Sequence, residues 1–525
     1  MSVRVLALSV ETASPEAIDR GCADRFMPNL SALRERGAYG PLESVSNISS
    51  GSIWPSMYTG CMPSKHGIAN FHMHFVNGTY HIDRYGPNQV MRPAVWDHLA
   101  KAGKRSIVMD VPLTRPHPGM NGIMISAWGV EGPAWRRQTH PPNLLSQLDR
   151  QFGPYPLPND DYRRSIRSTE LDKVRELRDI LFNGMRLKTR VLKHLMKTEP
   201  WDLVLGVFSE THWADHVMYH VIDPAHPDYR PVFKEEFGSF FEDLFALQDD
   251  CIGGLIDGID DDVVVLVFSG SGVRPSYYGN HLLPDVLDRL GYGSGPGGLP
   301  ANEATAESAK TWSYYRIRQI QDTVSTPVIM TLKKLAPTRL WEKWTRRLIF
   351  AREHWADSRA FCLPNDYCGS IRINLDGREP NGKVRKDEYD AVCAELSSEL
   401  LALENPDTGA PAVEAVLNLR ELYPGEHADR LPDLSVVWSD KHPIRALRSP
   451  RVGTVRGENP ERRPGAHSNV GFLTAAGRGI RAGAPLENAR LIDLAPTVLH
   501  AIGIDPGEEM DGRPLPLWDR VAVPN

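Results

Sequence analysis

His212 and His216 stand four residues apart in the run Ser209-Glu210-Thr211-His212-Trp213-Ala214-Asp215-His216, directly after an apolar segment, Asp202 to Phe208, that fits a buried strand. One helical turn puts both imidazoles on the same face, where they can reach a single ion. Histidines at this spacing are more often hydrogen-bonded structural residues, so the pair alone is a weak signal. His220 continues the face, but eight residues along a helix is about 12 Å, too far to share that ion. A second chemical stretch runs from Ser46 to Asn70. Gly51, Pro55, Gly60, Pro63 and Gly67 break it so often that a site loop without regular structure is expected, with Ser49, Ser50 and Ser52 aimed at a ligand. A Ser/Gly-rich surface turn is the plainer reading of the same residues. Glu11 is the third candidate, because it follows an apolar run at the end of which an open parallel sheet binds its ligands. A solvent-facing or helix-capping acid is its alternative.

The elements that must hold these groups read as α/β. Val3 to Val10 is a short apolar run of the kind buried on both faces of a parallel sheet, and Asp262 to Ser269 is the most strand-like segment of the chain. Met27 to Arg36 has Pro28 in its first turn and Gly37 after its end, which predicts a helix. Similar punctuation brackets Val95 to Ala102, and a strand follows at Arg105 to Asp110. Thr169 to Lys197 repeats apolar residues at helical spacing, with its Arg and Lys residues expected on the wet face. Residues 112–168 are rich in Gly, Pro and Trp and are expected to be loop, a substrate-facing excursion. Residues 292–360 combine a Gly/Ser-rich passage with a basic, Trp-containing stretch and are expected to form a cap or insertion, an interaction surface being the alternative. The core is then expected over 1–291 and 361–525, with a helix near Tyr389 to Leu403 and a strand from Pro432 to Trp438.

The run Ser50-x-x-x-Trp54-Pro55-Ser56-x-x-Thr59-Gly60-x-x-Pro63-x-x-His66-Gly67-Ile68 resembles the nucleophile loop of the type I phosphodiesterase/nucleotide pyrophosphatase family of the alkaline phosphatase superfamily. Further likenesses are the Thr211 to His216 segment, Gly465-Ala466-His467, Ile371 to Pro380, Leu491 to Gly503 and Asp511-Gly512-Arg513. The resemblance implies an alkaline-phosphatase-like sandwich: a central, mostly parallel sheet flanked by helices, with an inserted cap. It also implies two metals, one held by Asp, His and His, the other by Asp, the nucleophile, Asp and His. Carried over by position, the first set becomes His212, His216 and His467, and Ser50 becomes the nucleophile. The second set keeps only Glu11 and Ser50, because Ser269-Gly270-Ser271-Gly272 stands where the family has Asp-His-Gly.

Three neutral imidazoles are a recognised zinc donor set, and such an ion polarises a phosphoryl oxygen or acidifies water. One zinc is therefore expected rather than two, although another divalent transition metal fits the same donors. Ser50, deprived of the second ion, would rely on a base such as Glu11, and Arg274 or Lys65 is a candidate for the vacated charge and for binding substrate. Hydrolysis or group transfer on a phosphodiester, nucleotide-like or related ester is the favoured reading. A degenerate, ligand-binding homologue and a new metal-dependent reaction are the alternatives. A net charge of −6 argues against nucleic acid and acidic membranes as partners, leaving a small phosphate-type molecule. The six cysteines form no CxxC pair, the amino terminus lacks a signal-peptide pattern, and no apolar run approaches the roughly 20 residues of a bilayer span. A reduced, cytoplasmic protein is expected; its oligomeric state is not encoded in any pattern.

Overall fold

The computed structural model describes residues 3–70, 73–84, 89–129, 137–157, 170–260, 262–294, 355–459, 463–484 and 486–518. Residues 295–354, most of the expected cap, lie outside these. An eight-stranded sheet forms the centre, in the order Ala38–Glu43, Val470–Gly477, Val263–Phe268, Arg4–Val10, Leu203–Phe208, Ser106–Met109, Gly122–Ser126 and Gln138–His140. The five strands from Val263–Phe268 to Gly122–Ser126 pair in parallel, and the outer three attach antiparallel. Val263–Phe268 and Leu203–Phe208 are buried at every residue, which explains why they read as unbroken apolar runs rather than alternating ones.

Helices cover both faces. Pro28–Glu35, Leu171–Thr198 and Phe240–Ile256 pack on one side around Leu6, Leu8, Val204 and Val265. Ser50–Thr59, Val95–Lys101 and Leu494–Ile502 pack on the other around Val5, Ala7, Leu205 and Leu266. The chain is thus an α/β protein with a central, mostly parallel sheet flanked by helices. Among the described residues no helix is long and apolar enough to cross a membrane. All six cysteines are unpaired.

Between Val263–Phe268 and Val470–Gly477 the chain builds a smaller antiparallel sheet, ordered Ala360–Leu363, Gly369–Ile373, Leu434–Trp438 and Val413–Asn418, with helix Tyr389–Leu401 against it. Two expectations fail here. Within the excursion expected to be loop, Gly122–Ser126 is a strand of the main sheet and Leu144–Phe152 is a helix. The flanking Gly and Pro residues concealed a short apolar run, Ile123 to Ile125, which is fully interior. The second is Lys188, assigned to a wet helix face but buried with no exposure. It sits between Met185 and Leu192 on the apolar stripe, a placement that the spacing already encoded.

Candidate metal and nucleophile site

The stretch expected to be an irregular loop contains a ten-residue helix, Ser50–Thr59, despite Pro55 inside it. Proline removes one helical hydrogen bond there, yet every residue from Gly51 to Thr59 is buried, and Trp54, Met57 and Tyr58 anchor the helix to the core. Ser49 caps the amino end by accepting from the Gly51 N–H, and Gly60 closes the carboxyl end at φ 65°. Of the three serines expected to face a ligand, Ser49 and Ser52 are fully buried and the Ser52 hydroxyl donates to the Ile68 carbonyl. Only Ser50, in the first turn of the helix, is partly exposed. His66 is interior too. Its Nδ1 accepts from the Ile68 N–H and its Nε2 pairs with Ser56 Oγ at 2.9 Å, and burial lowers its pKa to about 3.

His212 and His216 lie on helix Glu210–Met218, which leaves the carboxyl end of strand Leu203–Phe208. The start of that helix is pinned from behind. Lys188 Nζ lies 2.7 Å from Asp110 and 3.2 Å from Glu210, and the Tyr155 hydroxyl donates to Glu210 at 2.7 Å. His467 comes from strand Gly465–Ser468, which pairs with Gly272–Pro275 in a register that sets His467 opposite Val273. The structure brings the three imidazoles together with ring centroids 4.1, 4.9 and 5.0 Å apart. One ring nitrogen from each falls within 4.8 Å of the others.

Two of the rings are hydrogen-bonded at Nδ1, and a carboxylate stands beyond hydrogen-bond reach of the third. His216 Nδ1 is 3.0 Å from the Gly465 carbonyl, His467 Nδ1 is 2.9 Å from Ser271 Oγ, and His212 Nδ1 is 3.7 Å from Glu11 Oε2. The Gly465 carbonyl can only accept, so it fixes the His216 proton at Nδ1 and leaves the Nε2 lone pair free, the outer arrangement typical of metal-bound histidine. His212 Nε2 and His467 Nε2 are 3.2 Å apart. Burial, with the surrounding positive groups, holds His216 and His467 well below their ordinary pKa, so both stay neutral and able to donate. The donor set fits one transition-metal ion. Arg463 Nη2 lies against His216 Nε2, on the inward side of the cluster.

The corner implied for a second ion does not fit one. A Cβ at Gly270 would meet Ile53 Cγ2 at 2.6 Å, so the side chain of the Ser50 helix fills the space a ligand there would need. Ser271 faces His467. Glu11, 8% exposed, accepts from the Trp54 indole N–H at 2.6 Å. The Ser50 hydroxyl donates to a residue the sequence did not single out, Asp366, at Oδ2. Asp366 lies 316 residues away and carries no motif, so nothing in the chain's linear pattern flags it.

The two cations expected at the site differ. Arg274 lies beside His467 on the paired strand and donates to the Trp438 carbonyl at 3.3 Å. Lys65 pairs with Asp511 at 2.6 Å and reaches the Glu509 carbonyl, which ties it to the carboxyl-terminal segment instead of the histidines. Asp215, between the two helical histidines, receives the Thr12 hydroxyl, and burial pushes its pKa up to about 8. His220 packs at 5.5 Å from the Phe233 ring, outside the cluster, as its distance along the helix requires.

Fold and site together define an alkaline-phosphatase-like α/β enzyme with a three-histidine corner at the carboxyl ends of its parallel strands. The family model of type I phosphodiesterase / nucleotide pyrophosphatase matches residues 5–445, and the chain belongs to that family. It is a phosphoester hydrolase of the alkaline phosphatase superfamily. Solved structures of phosphonoacetate hydrolase from Sinorhizobium meliloti 1021, in complex with phosphonoformate and with phosphonoacetate, share the fold. Each gives a TM-score of 0.53 at 13% identity, over 95% of this chain and 96% of that one. No curated relative matches the chain.

Proposed function

We propose that this chain cleaves a small phosphate-type ester with one zinc ion held by His212, His216 and His467 and with Ser50 as the nucleophile. The observation that carries the reading is the convergence of the three imidazoles from distant parts of the chain, one ring nitrogen of each within 4.8 Å of the others, with His216 and His467 held neutral by burial. Zinc on such donors supplies a Lewis acid for a phosphoryl oxygen.

The chain's own groups supply the rest. Ser50 stands at the amino end of a ten-residue helix, where the helix dipole favours an anionic phosphoryl group. Arg274, and Arg463 once it leaves His216, are cations that can hold the substrate's remaining oxygens. The similarity to a hydrolase crystallised with small phosphonates agrees with a small substrate carrying a phosphorus oxyanion. Transfer of the group to an acceptor other than water uses the same residues.

Metal analysis of the purified protein is expected to give close to one equivalent, and His467→Ala to lose it. Two equivalents would overturn the single-ion reading. Ser50→Ala is expected to abolish turnover of bis-p-nitrophenyl phosphate while keeping the metal; full turnover in that variant removes Ser50 from the reaction.

A further inference from the structure

A serine hydroxyl is a weak nucleophile at neutral pH and needs a base, a lowered pKa or a metal to activate it. The two side chains that would complete a second ion's donor set are missing at Gly270 and Ser271, and Ile53 packs into the space beside Gly270. The carboxylate that Ser50 meets instead is Asp366, in the turn between strands Ala360–Leu363 and Gly369–Ile373 of the smaller sheet. That turn is fastened to the segment leading into Ser50. Asn365 Nδ2 donates to the Ile48 carbonyl at 2.7 Å, the Tyr367 hydroxyl donates to the Ser46 carbonyl at 2.7 Å, and Ser435 Oγ donates to the Asn47 carbonyl. The Asp366 N–H donates to Asn365 Oδ1 at 2.6 Å. Nucleophile and carboxylate are therefore held by one network of largely buried hydrogen bonds, each residue itself partly exposed. Tyr367, next in the chain, lies 5.4 Å ring to ring from His467, so the same turn also borders the histidine cluster.

We propose that Asp366 is the general base that takes the Ser50 proton as Oγ attacks phosphorus. The inference rests on the reading of Ser50 as nucleophile. In the first step the Oγ–P bond forms, the proton passes to the Asp366 carboxylate, the ester P–O bond breaks, and the departing alcohol takes a proton from solvent. In the second step water attacks phosphorus and gives a proton to solvent. The P–Oγ bond then breaks, and Asp366 returns its proton to Oγ. One water is consumed, one alcohol and one phosphate product are released, and Asp366 ends ionised. The smaller sheet thereby contributes a reacting group to a site otherwise built on the main sheet.

The test uses the metal-loaded full chain with two probes, turnover of bis-p-nitrophenyl phosphate and covalent labelling of Ser50 by diisopropyl fluorophosphate read by mass spectrometry. Asp366→Asn is expected to slow both by about 10²–10⁴-fold, the range of positioned proton transfer, through kcat rather than KM, with metal content and melting temperature unchanged. Asp366→Glu is expected to recover part of both rates. Labelling of Asp366→Asn at the wild-type rate overturns the proposal, as does loss of metal from that variant, which would make Asp366 a ligand. An inactive Ser50→Ala beside a fully active Asp366→Asn removes only the base, whereas a fully active Ser50→Ala removes the nucleophile reading itself.

Discussion

The three-histidine corner and the Ser50 corner share the carboxyl edge of one sheet but are built on opposite plans. In the first, side chains from a helix and a distant strand converge, and two of the rings have a hydrogen-bond partner behind them. In the second, the space is filled: Ile53 occupies what a side chain at Gly270 would need, and Trp54 takes one oxygen of Glu11. Ser271, which stands where the family would place a second-metal histidine, serves the first corner by backing His467. The difference teaches that losing two ligands did not leave a defect at the site. The surrounding side chains closed over one position and reassigned the other.

Removing a histidine should break the contrast most severely. His212→Ala or His467→Ala is expected to abolish metal binding and turnover, measured by elemental analysis and bis-p-nitrophenyl phosphate hydrolysis, with the fold retained by circular dichroism. Ser271→Ala should be milder, because it removes a backing partner and not a donor. A fall in metal affinity of about 10–100-fold is expected from competition with a chelator, and unchanged affinity would detach Ser271 from the cluster.

Gly270→Asp tests the filled corner directly. The new side chain collides with Ile53, so a loss of about 1–3 kcal/mol in denaturant unfolding is expected without any gain of a second metal equivalent. The double variant with Ile53→Ala should recover part of that stability. A smaller effect concerns His66, whose pKa is lowered to about 3 by burial. The unfolded chain binds its proton near pH 6.5 and the folded chain does not. Stability should therefore fall as pH drops below about 6.5, with this residue adding up to about 1.4 kcal/mol per pH unit down to about pH 3. Urea titrations of wild type and His66→Gln across that range should show the shallower slope in the variant. Lys65→Ala is expected to matter least: its half-buried pair with Asp511 at the protein surface is worth about 1 kcal/mol, and KM should stay the same.

Periodicity and punctuation sufficed for the strands around Glu11 and His212, the long helix before them and the α/β class, because buried parallel strands and amphipathic helices write their burial into local residue order. The spacing of His212 and His216 likewise foretold a shared helical face. The Ser50–Thr59 helix was illegible, since Gly51 and Pro55 argue against a helix that only burial of Trp54, Met57 and Tyr58 stabilises. The arrival of His467 beside the other two rings depends on the pairing of Gly272–Pro275 with Gly465–Ser468. Asp366 meets Ser50 only because a second sheet folds back onto the first. Residue types and local spacing thus set which groups were available, and the long-range packing of two sheets decided which of them meet, because contacts hundreds of residues apart leave no trace in local pattern.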